Sequence, residues 1–293
     1  MIKQHSYQES DSGVLYLVPT PIGNLDDMTF RAVKILKEAD IVLAEDTRNT
    51  RHLLNYFDIQ VNLRSYHEHS KSSEVDHWIE QLTEGKDIAL VSDAGMPLIN
   101  DPGQPLVQAA LKNELNVIAL PGANAGLTAL VASGLPSEQF TYYGFFPRVK
   151  SEQNDLLEQI GLRQETAIFY ESPHRIKQAV QHIAEQLGET VPVVIGRELT
   201  KRYEEYIRGQ AGQVAEHLNQ REIKGEIVLL IQGGQLIEQR LEAIALLPYK
   251  EHVEMVMSSQ GLRAKDAIKE VAKIRQVKKQ IVYNAYHDIE PAD

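Results

Sequence analysis

Apolar positions along this chain fall into short unbroken runs, separated by stretches in which apolar residues recur every three or four positions. The runs cover residues 14–18, 41–44, 88–91, 117–120, 140–146, 166–170, 191–195 and 227–231. Each is bounded by turn-forming residues, the pattern of a strand buried on both faces. Between them the spacing predicts helices. Thr29 is placed to cap one that carries Ala32, Val33, Ile35, Leu36 and Ala39. Asp101-Pro102-Gly103 opens a second, with Leu106, Val107, Ala109, Ala110 and Leu111. A third carries Ile176, Ala179, Val180, Ile183, Ala184 and Leu187 and is ended by Gly188. Strands alternating with helices predict an α/β protein whose first part is a largely parallel, doubly wound sheet. Two α/β domains are expected, at 14–122 and 123–234, followed by a small helical extension at 235–293. The strand at 140–146 is expected to close the first run of α/β units, and 149–164 to hold the inter-domain connection and an early helix.

Bulk properties narrow the class. At 293 residues two domains are the natural expectation, because single cores rarely grow past roughly 250 residues. The absence of cysteine removes disulfides, thiolate metal sites and cysteine nucleophiles, and suits a reducing compartment. No apolar run approaches the roughly 18 residues of a membrane helix, so no membrane partner is expected. The polar start, residues 1–13, lacks a signal peptide's apolar core and is expected to be a frayed tail. A net charge of −11 argues against DNA and against non-specific nucleic-acid binding over the whole surface, while leaving room for a local basic cleft. Between Gly261 and His287 seven Lys/Arg face two acids, which either a solvated helix face or a polyanion contact explains.

The candidate chemistry sits at strand ends. In residues 87–103, DIALVSDAGMPLINDPG, the apolar strand runs into Ser92, Asp93, Ala94 and Gly95. Ligands of open α/β sheets sit at the carboxyl ends of strands, so a carboxylate with small residues and two prolines there predicts a shaped pocket. Charge also loads the other strand ends, with Glu45, Asp46 and Arg48, with Glu171, His174 and Arg175, and with Arg197, Glu198 and Lys201. A surface ion pair accounts for any one of these; their recurrence in two units points to a cleft between domains. The turn PGANAG offers backbone N–H groups at a helix start, and an ordinary tight turn fits it equally. There is no G-x-G-x-x-G after the first strand, no P-loop and no G-x-S-x-G elbow. His67-Glu68-His69 would set two imidazoles on one side of a strand, but no third ligand motif accompanies it, so no metal is expected.

Taken together, LYLVPTPIGNLDD, AEDTR, YHEH, LVSDAGMPLINDPG, ALPGANAG, SGLP, GFFPR, FYESPHR, RELTK and GEIVL, in that order over about residues 14 to 287, resemble one family. It is that of the small-subunit ribosomal RNA methyltransferases which 2′-O-methylate a cytidine in the decoding region of 16S rRNA, within the tetrapyrrole-methylase superfamily. The resemblance implies S-adenosylmethionine as methyl donor, bound between two α/β domains. It also implies a homodimer, a cytoplasmic location, and the small ribosomal subunit as partner. Carried over by position, the donor site falls on Ile22, Asp93, Met96, Ile99, Asn124 and Ala125, with Phe169 and Tyr170 meeting the donor from the second domain. The family's loop more often reads SDAGTP, so Met96 replaces a hydroxyl; its turn more often has proline where this chain has Ala123. Such chemistry needs a ribose hydroxyl held in line behind the methyl carbon and help with its proton. Asp46 or Asp93, then Glu45, are the acids expected nearest the reacting atoms. Arg48, Arg51, His174, Arg175, Arg197 and Lys201 are expected to meet phosphates or bases. Two other readings stay open: a methylase of a corrin-like small molecule, since fold does not dictate function, and an assembly factor that keeps the fold without catalysis.

Overall fold

The computed structural model describes residues 3–6, 11–67, 72–237 and 246–289. The first sheet contains β1 (Val14–Val18), β2 (Ile41–Ala44), β3 (Asn62–Ser65), β4 (Ile88–Val91) and β5 (Asn116–Ala119). Its order is β3-β2-β4-β1-β5, and every pairing is parallel. Four helices cover it: α1 (Phe30–Glu38), α2 (Thr47–Tyr56), α3 (Ser72–Thr83) and α4 (Gln104–Lys112). Because side chains alternate along a strand, Ile41, Leu43, Ile88 and Leu90 pack on Trp78, Leu82, Leu106 and Ala110 of α3 and α4. Their neighbours Val42, Ala44, Ala89 and Val91 pack on Ala32, Leu36 and Leu54 of α1 and α2. The chain leaves β1 toward β2 on one side and β4 toward β5 on the other. That makes the carboxyl ends of these adjacent strands a topological switch point, where open sheets hold their ligands.

The second sheet, ordered β6-β7-β10-β8-β9, contains β6 (Phe140–Phe145), β7 (Thr166–Glu171), β8 (Pro192–Arg197), β9 (Glu205–Gln210) and β10 (Ile227–Gln232). Only β6 and β7 run parallel; β10 is antiparallel to both β7 and β8, and β8 and β9 form an antiparallel hairpin. One face packs on α6 (Lys150–Gly161), α7 (Ile176–Leu187) and α8 (Ala211–Asn219). The other faces α5 (Ala125–Ser133), with Ala129 and Leu130 against Ile168, Val194 and Leu230, and with Ile22 reaching across from the first sheet's loops.

Three expectations change. The strand at 140–146 does not close the first sheet; β6 pairs with β7 at the edge of the second, because α5 has already carried the chain across. Residues 149–164 are accordingly no inter-domain connection, since α6 packs inside the second sheet's core through Leu157 and Ile160. In the polar start, Gln4 is held rather than frayed: its carboxamide donates to the Val117 carbonyl and accepts from the Val117 amide, both at 2.9 Å, closing the free edge of β5. Residues 1, 2 and 7–10 of that segment lie outside the described residues. At the other end, α9 (Tyr249–Gln260), α10 (Ala264–Ile274) and α11 (Lys279–Tyr286) form a small bundle. Its own core comprises Val253, Val256, Ala267, Ile268, Val271, Ala272 and Val282. Among the described residues no helix is long and apolar enough to cross a membrane.

Candidate active site

A cavity of about 410 Å³ lies between the two sheets. The loop after β4 shapes its first wall. Thr20 and Gly95 exchange backbone hydrogen bonds of 2.9 Å each way, a bridge that joins the β1 and β4 loops at the switch point. Ser92 Oγ donates to the Gly95 carbonyl at 2.6 Å, and Thr20 Oγ1 donates to the Ser92 carbonyl at 3.0 Å, which fixes the turn from below. Gly95 has φ +83°, and a β-carbon there would meet Ile22 Cγ2 at 3.3 Å, so the turn requires glycine. On the second wall, Asn124 caps α5 by accepting from the Leu127 amide at 2.9 Å. This cap sets Asn124 and Ala125 at the cavity's edge. Tyr170 on β7 and Ile227 and Val228 on β10 complete the lining from the second sheet.

Of the positions carried over for the donor, Ile22, Met96, Ile99, Asn124, Ala125 and Tyr170 all line this cavity. Phe169 does not: one residue from Tyr170 along the strand, it points to the opposite face, where it stacks on Tyr143 and meets Phe146 edge-on in the core. Ala123 packs beside the apolar cluster around Ile22 rather than in the lining. Asp93 is likewise absent from the lining. It is exposed and faces a second, smaller cavity, with one carboxylate oxygen accepting from the Asp46 amide and the other from Asn49 Nδ2, both at 3.2 Å.

A carboxyl that the sequence placed only at a helix start faces the inter-sheet cavity. Asp101 is half-buried, and burial, reinforced by the nearby charges of Glu45 and Asp93, pushes its pKa up to about 6. It has no hydrogen-bond or ion-pair partner among the described residues. The available signal was positional: α4 is capped by Gly103 and begins at Gln104, so Asp101, ahead of it, is free of any capping duty. Asp46 has the opposite fate. It caps α2 by accepting from the Arg48 amide at 2.8 Å, and Arg48 grips the same carboxylate at 2.7 Å. Those hydrogen bonds hold its pKa down to about 2. A carboxylate so held is a poor proton acceptor at neutral pH. Glu45 is half-buried beside these groups and lines neither cavity.

The candidate cations divide in the same way. Arg48 is tied to Asp46. Arg175 pairs with the buried Glu171 and donates to the Phe146 carbonyl. Arg197 spans Glu205 and the carbonyls of Lys224 and Tyr203. Lys201 bridges Glu198 and Glu226 at 2.8 and 3.0 Å. Arg51 and His174 are exposed, and their side chains have no partner among the described residues. Of His67-Glu68-His69, Glu68 and His69 lie outside the described residues. Among the described residues no group of three or more acidic and histidine side chains could hold a metal.

Comparison with known proteins agrees with this architecture. The sequence profile of the Tetrapyrrole (Corrin/Porphyrin) Methylases matches residues 14–215, which takes in the first sheet and the second as far as β9, ending within α8. The chain is 50% identical over 289 residues to the Ribosomal RNA small subunit methyltransferase I of Halalkalibacterium halodurans, covering 98% of this chain and 99% of that one. It is 48% identical to the protein of the same name from Bacillus subtilis strain 168, covering 95% and 96%. Among solved structures, the methyltransferase CobJ superposes with a TM-score of 0.57 at 17% identity, over 75% of this chain and 94% of that one, a likeness of fold alone. Profile, near-full-length identity and the cavity between two α/β sheets agree: this chain belongs to the tetrapyrrole methylase family, in the branch of the ribosomal RNA small subunit methyltransferase I proteins.

Proposed function

We propose that this protein transfers a methyl group from S-adenosylmethionine to the ribose 2′-OH of a cytidine in the decoding region of 16S rRNA. The observation that carries the RNA reading is half identity over nearly the whole of both chains to a protein named for that subunit's RNA. Methylases of this family use S-adenosylmethionine, and the inter-sheet cavity suits it. Ile22, Met96 and Ile99 offer apolar surface for a flat heterocycle, while Asn124 and Ala125 add polar groups at a helix start. The half-buried Asp101 carboxyl, short of a partner, is the feature most in need of a cation. A desolvated carboxylate is costly until one pairs with it, and this donor carries positive charge. When bound, the donor supplies an activated methyl group.

The chain's own residues then have three tasks. Asp101 pairs with the donor's charge and ionises fully as it does so. The Thr20–Gly95 bridge and the Tyr170 ring would confine the donor and so favour in-line approach of the acceptor hydroxyl. Arg51 beside the first sheet and His174 beside the second are free to meet RNA phosphates, which positions the strand without reading it. Recognition by an acidic protein is then local and composite, set by a few cations and the shape of an assembled subunit. Two copies are proposed to act together, and the exposed Leu127 and Val131 on α5 give such a dimer an apolar surface. The test supplies labelled donor to small ribosomal subunits that lack the mark and, separately, to a corrinoid. Label in the subunit's RNA alone is expected; label in the corrinoid alone would replace this reading with small-molecule methylation.

A further inference from the structure

The smaller cavity, about 300 Å³, lies across the Thr20–Gly95 bridge from the donor cavity. One wall is a helical stripe on α2: Asn49, His52, Leu53 and Tyr56 stand at positions i, i+3, i+4 and i+7, and all line it. The opposite wall is the β1 and β4 loops, with Pro21 and Asp93. At its base sits Thr50, only 3% exposed, whose hydroxyl has no hydrogen-bond partner among the described residues. Buried hydroxyls are almost always bonded, so one that lacks a partner beside a cavity is a place where a ligand group or a bound water would complete the bonding.

The chemistry of the lining narrows the ligand. Tyr56 and Pro21 present flat or rigid surfaces suited to stacking a ring. The Asp93 carboxylate keeps acceptor capacity beyond its two existing bonds, since each oxygen can accept more than once. Asn49 and Thr50 can both donate and accept. This arrangement favours a ring that carries an exocyclic amine beside a ring acceptor. A carbonyl in the amine's place would face the carboxylate with no proton between them.

We infer that this cavity receives the flipped-out base of the acceptor nucleotide and selects an amino-bearing base, cytosine over uracil, through Asp93, Asn49 and the Thr50 hydroxyl. The inference rests on the RNA reading above and deepens it: one cavity holds the donor, and its neighbour across the bridge holds the base whose ribose receives the methyl. Extruding a base from an RNA stack has a cost, which such a pocket would offset.

The test measures methyl transfer by wild type, Thr50→Val and Asp93→Asn to small subunits with either cytidine or uridine at the methylated position. Donor affinity is followed by calorimetry and folding by thermal melting. Saturation-transfer NMR with cytidine 5′-monophosphate reports base contact without any transfer. Thr50→Val keeps the side-chain shape and removes only the open hydroxyl, so its melting temperature should hold or rise. The expected result is donor affinity within twofold of wild type, kcat/KM on cytidine subunits at least tenfold lower for Thr50→Val, and a cytidine-to-uridine ratio at least tenfold smaller for Asp93→Asn. Values within twofold of wild type in both variants would overturn the assignment while leaving the methyltransferase reading intact. Conversely, a wild type that transfers no label to RNA, yet shows cytidine contacts that Thr50→Val abolishes, would overturn that reading and keep the pocket.

Discussion

At the scale of single residues, Asp101 makes the sharpest prediction. Its folded-state pKa of about 6 stands above its value in the unfolded chain, so ionisation opposes folding. In the ligand-free protein this weakens stability progressively as pH rises from about 4 to about 6, and the loss is complete above that. Asp101→Asn should therefore raise the melting temperature at pH 7, by a stabilisation on the order of 1–3 kcal/mol, and flatten the pH dependence between 4 and 6. The same change should weaken donor binding at least tenfold by calorimetry. A variant that is both less stable and unimpaired in binding would contradict the role. Arg197 makes the complementary case. Removing its guanidinium strands two backbone carbonyls and leaves Glu205 to Arg221 alone, so Arg197→Ala should lose roughly 1–3 kcal/mol of stability with donor affinity unchanged; a drop in affinity without a change in melting would move it into the site. These two residues also show what was legible from sequence. Charged residues at strand ends could be found, and the positions that line the inter-sheet cavity came from the family resemblance. Which charges are spent locally could not be seen, because Asp46 with Arg48 and Arg197 with Glu205 are decided by rotamer and hairpin geometry. Asp101 looked like the opening of a helix because Pro102 and Gly103 follow it.

At the scale of elements, the buried strands were legible, as were the apolar edge strands β5 and β6, while the polar edge strands β3 and β9 were not. β1, β2, β4, β7 and β10 pack on both faces and give continuous apolar runs. β3, NLRS, and β9, EYIRGQ, sit at sheet edges and carry half-exposed or exposed residues, so no periodicity announces them. The same limit misplaced β6: an apolar strand does not say which sheet it will join, and the alternation of strand with helix continues unbroken across the boundary. The helical C-terminal segment was foreseen, and the structure adds that Lys265, Lys269 and Lys273 form an exposed stripe at intervals of four along α10, with Lys278 and Lys279 exposed just beyond it. Reversing Lys273, Lys278 and Lys279 to Glu should weaken binding to small subunits and flatten its dependence on salt, because fewer counterions are released. Equal affinity and an equal salt slope would make that face solvated surface only.

At the scale of the whole molecule, two sheets of different construction meet at one cavity. The first, all parallel, supplies a switch point; the second, mixed, supplies Tyr170 and the start of α5. A donor held by both should stabilise them together. At a donor concentration of 100 times Kd the gain should be about 2.7 kcal/mol, seen as an upward shift of a single melting transition; a shift confined to one of two separate transitions would place the donor on one sheet alone. The central claim is the identity of the methylated atom, and the most direct measurement is alkaline hydrolysis of small-subunit RNA labelled by this protein. The hydroxyl that attacks the phosphodiester during cleavage is the one proposed to receive the methyl. One cytidine linkage that resists cleavage and carries the label is the predicted result; labelled RNA in which every linkage still cleaves would put the methyl on a base and contradict the account.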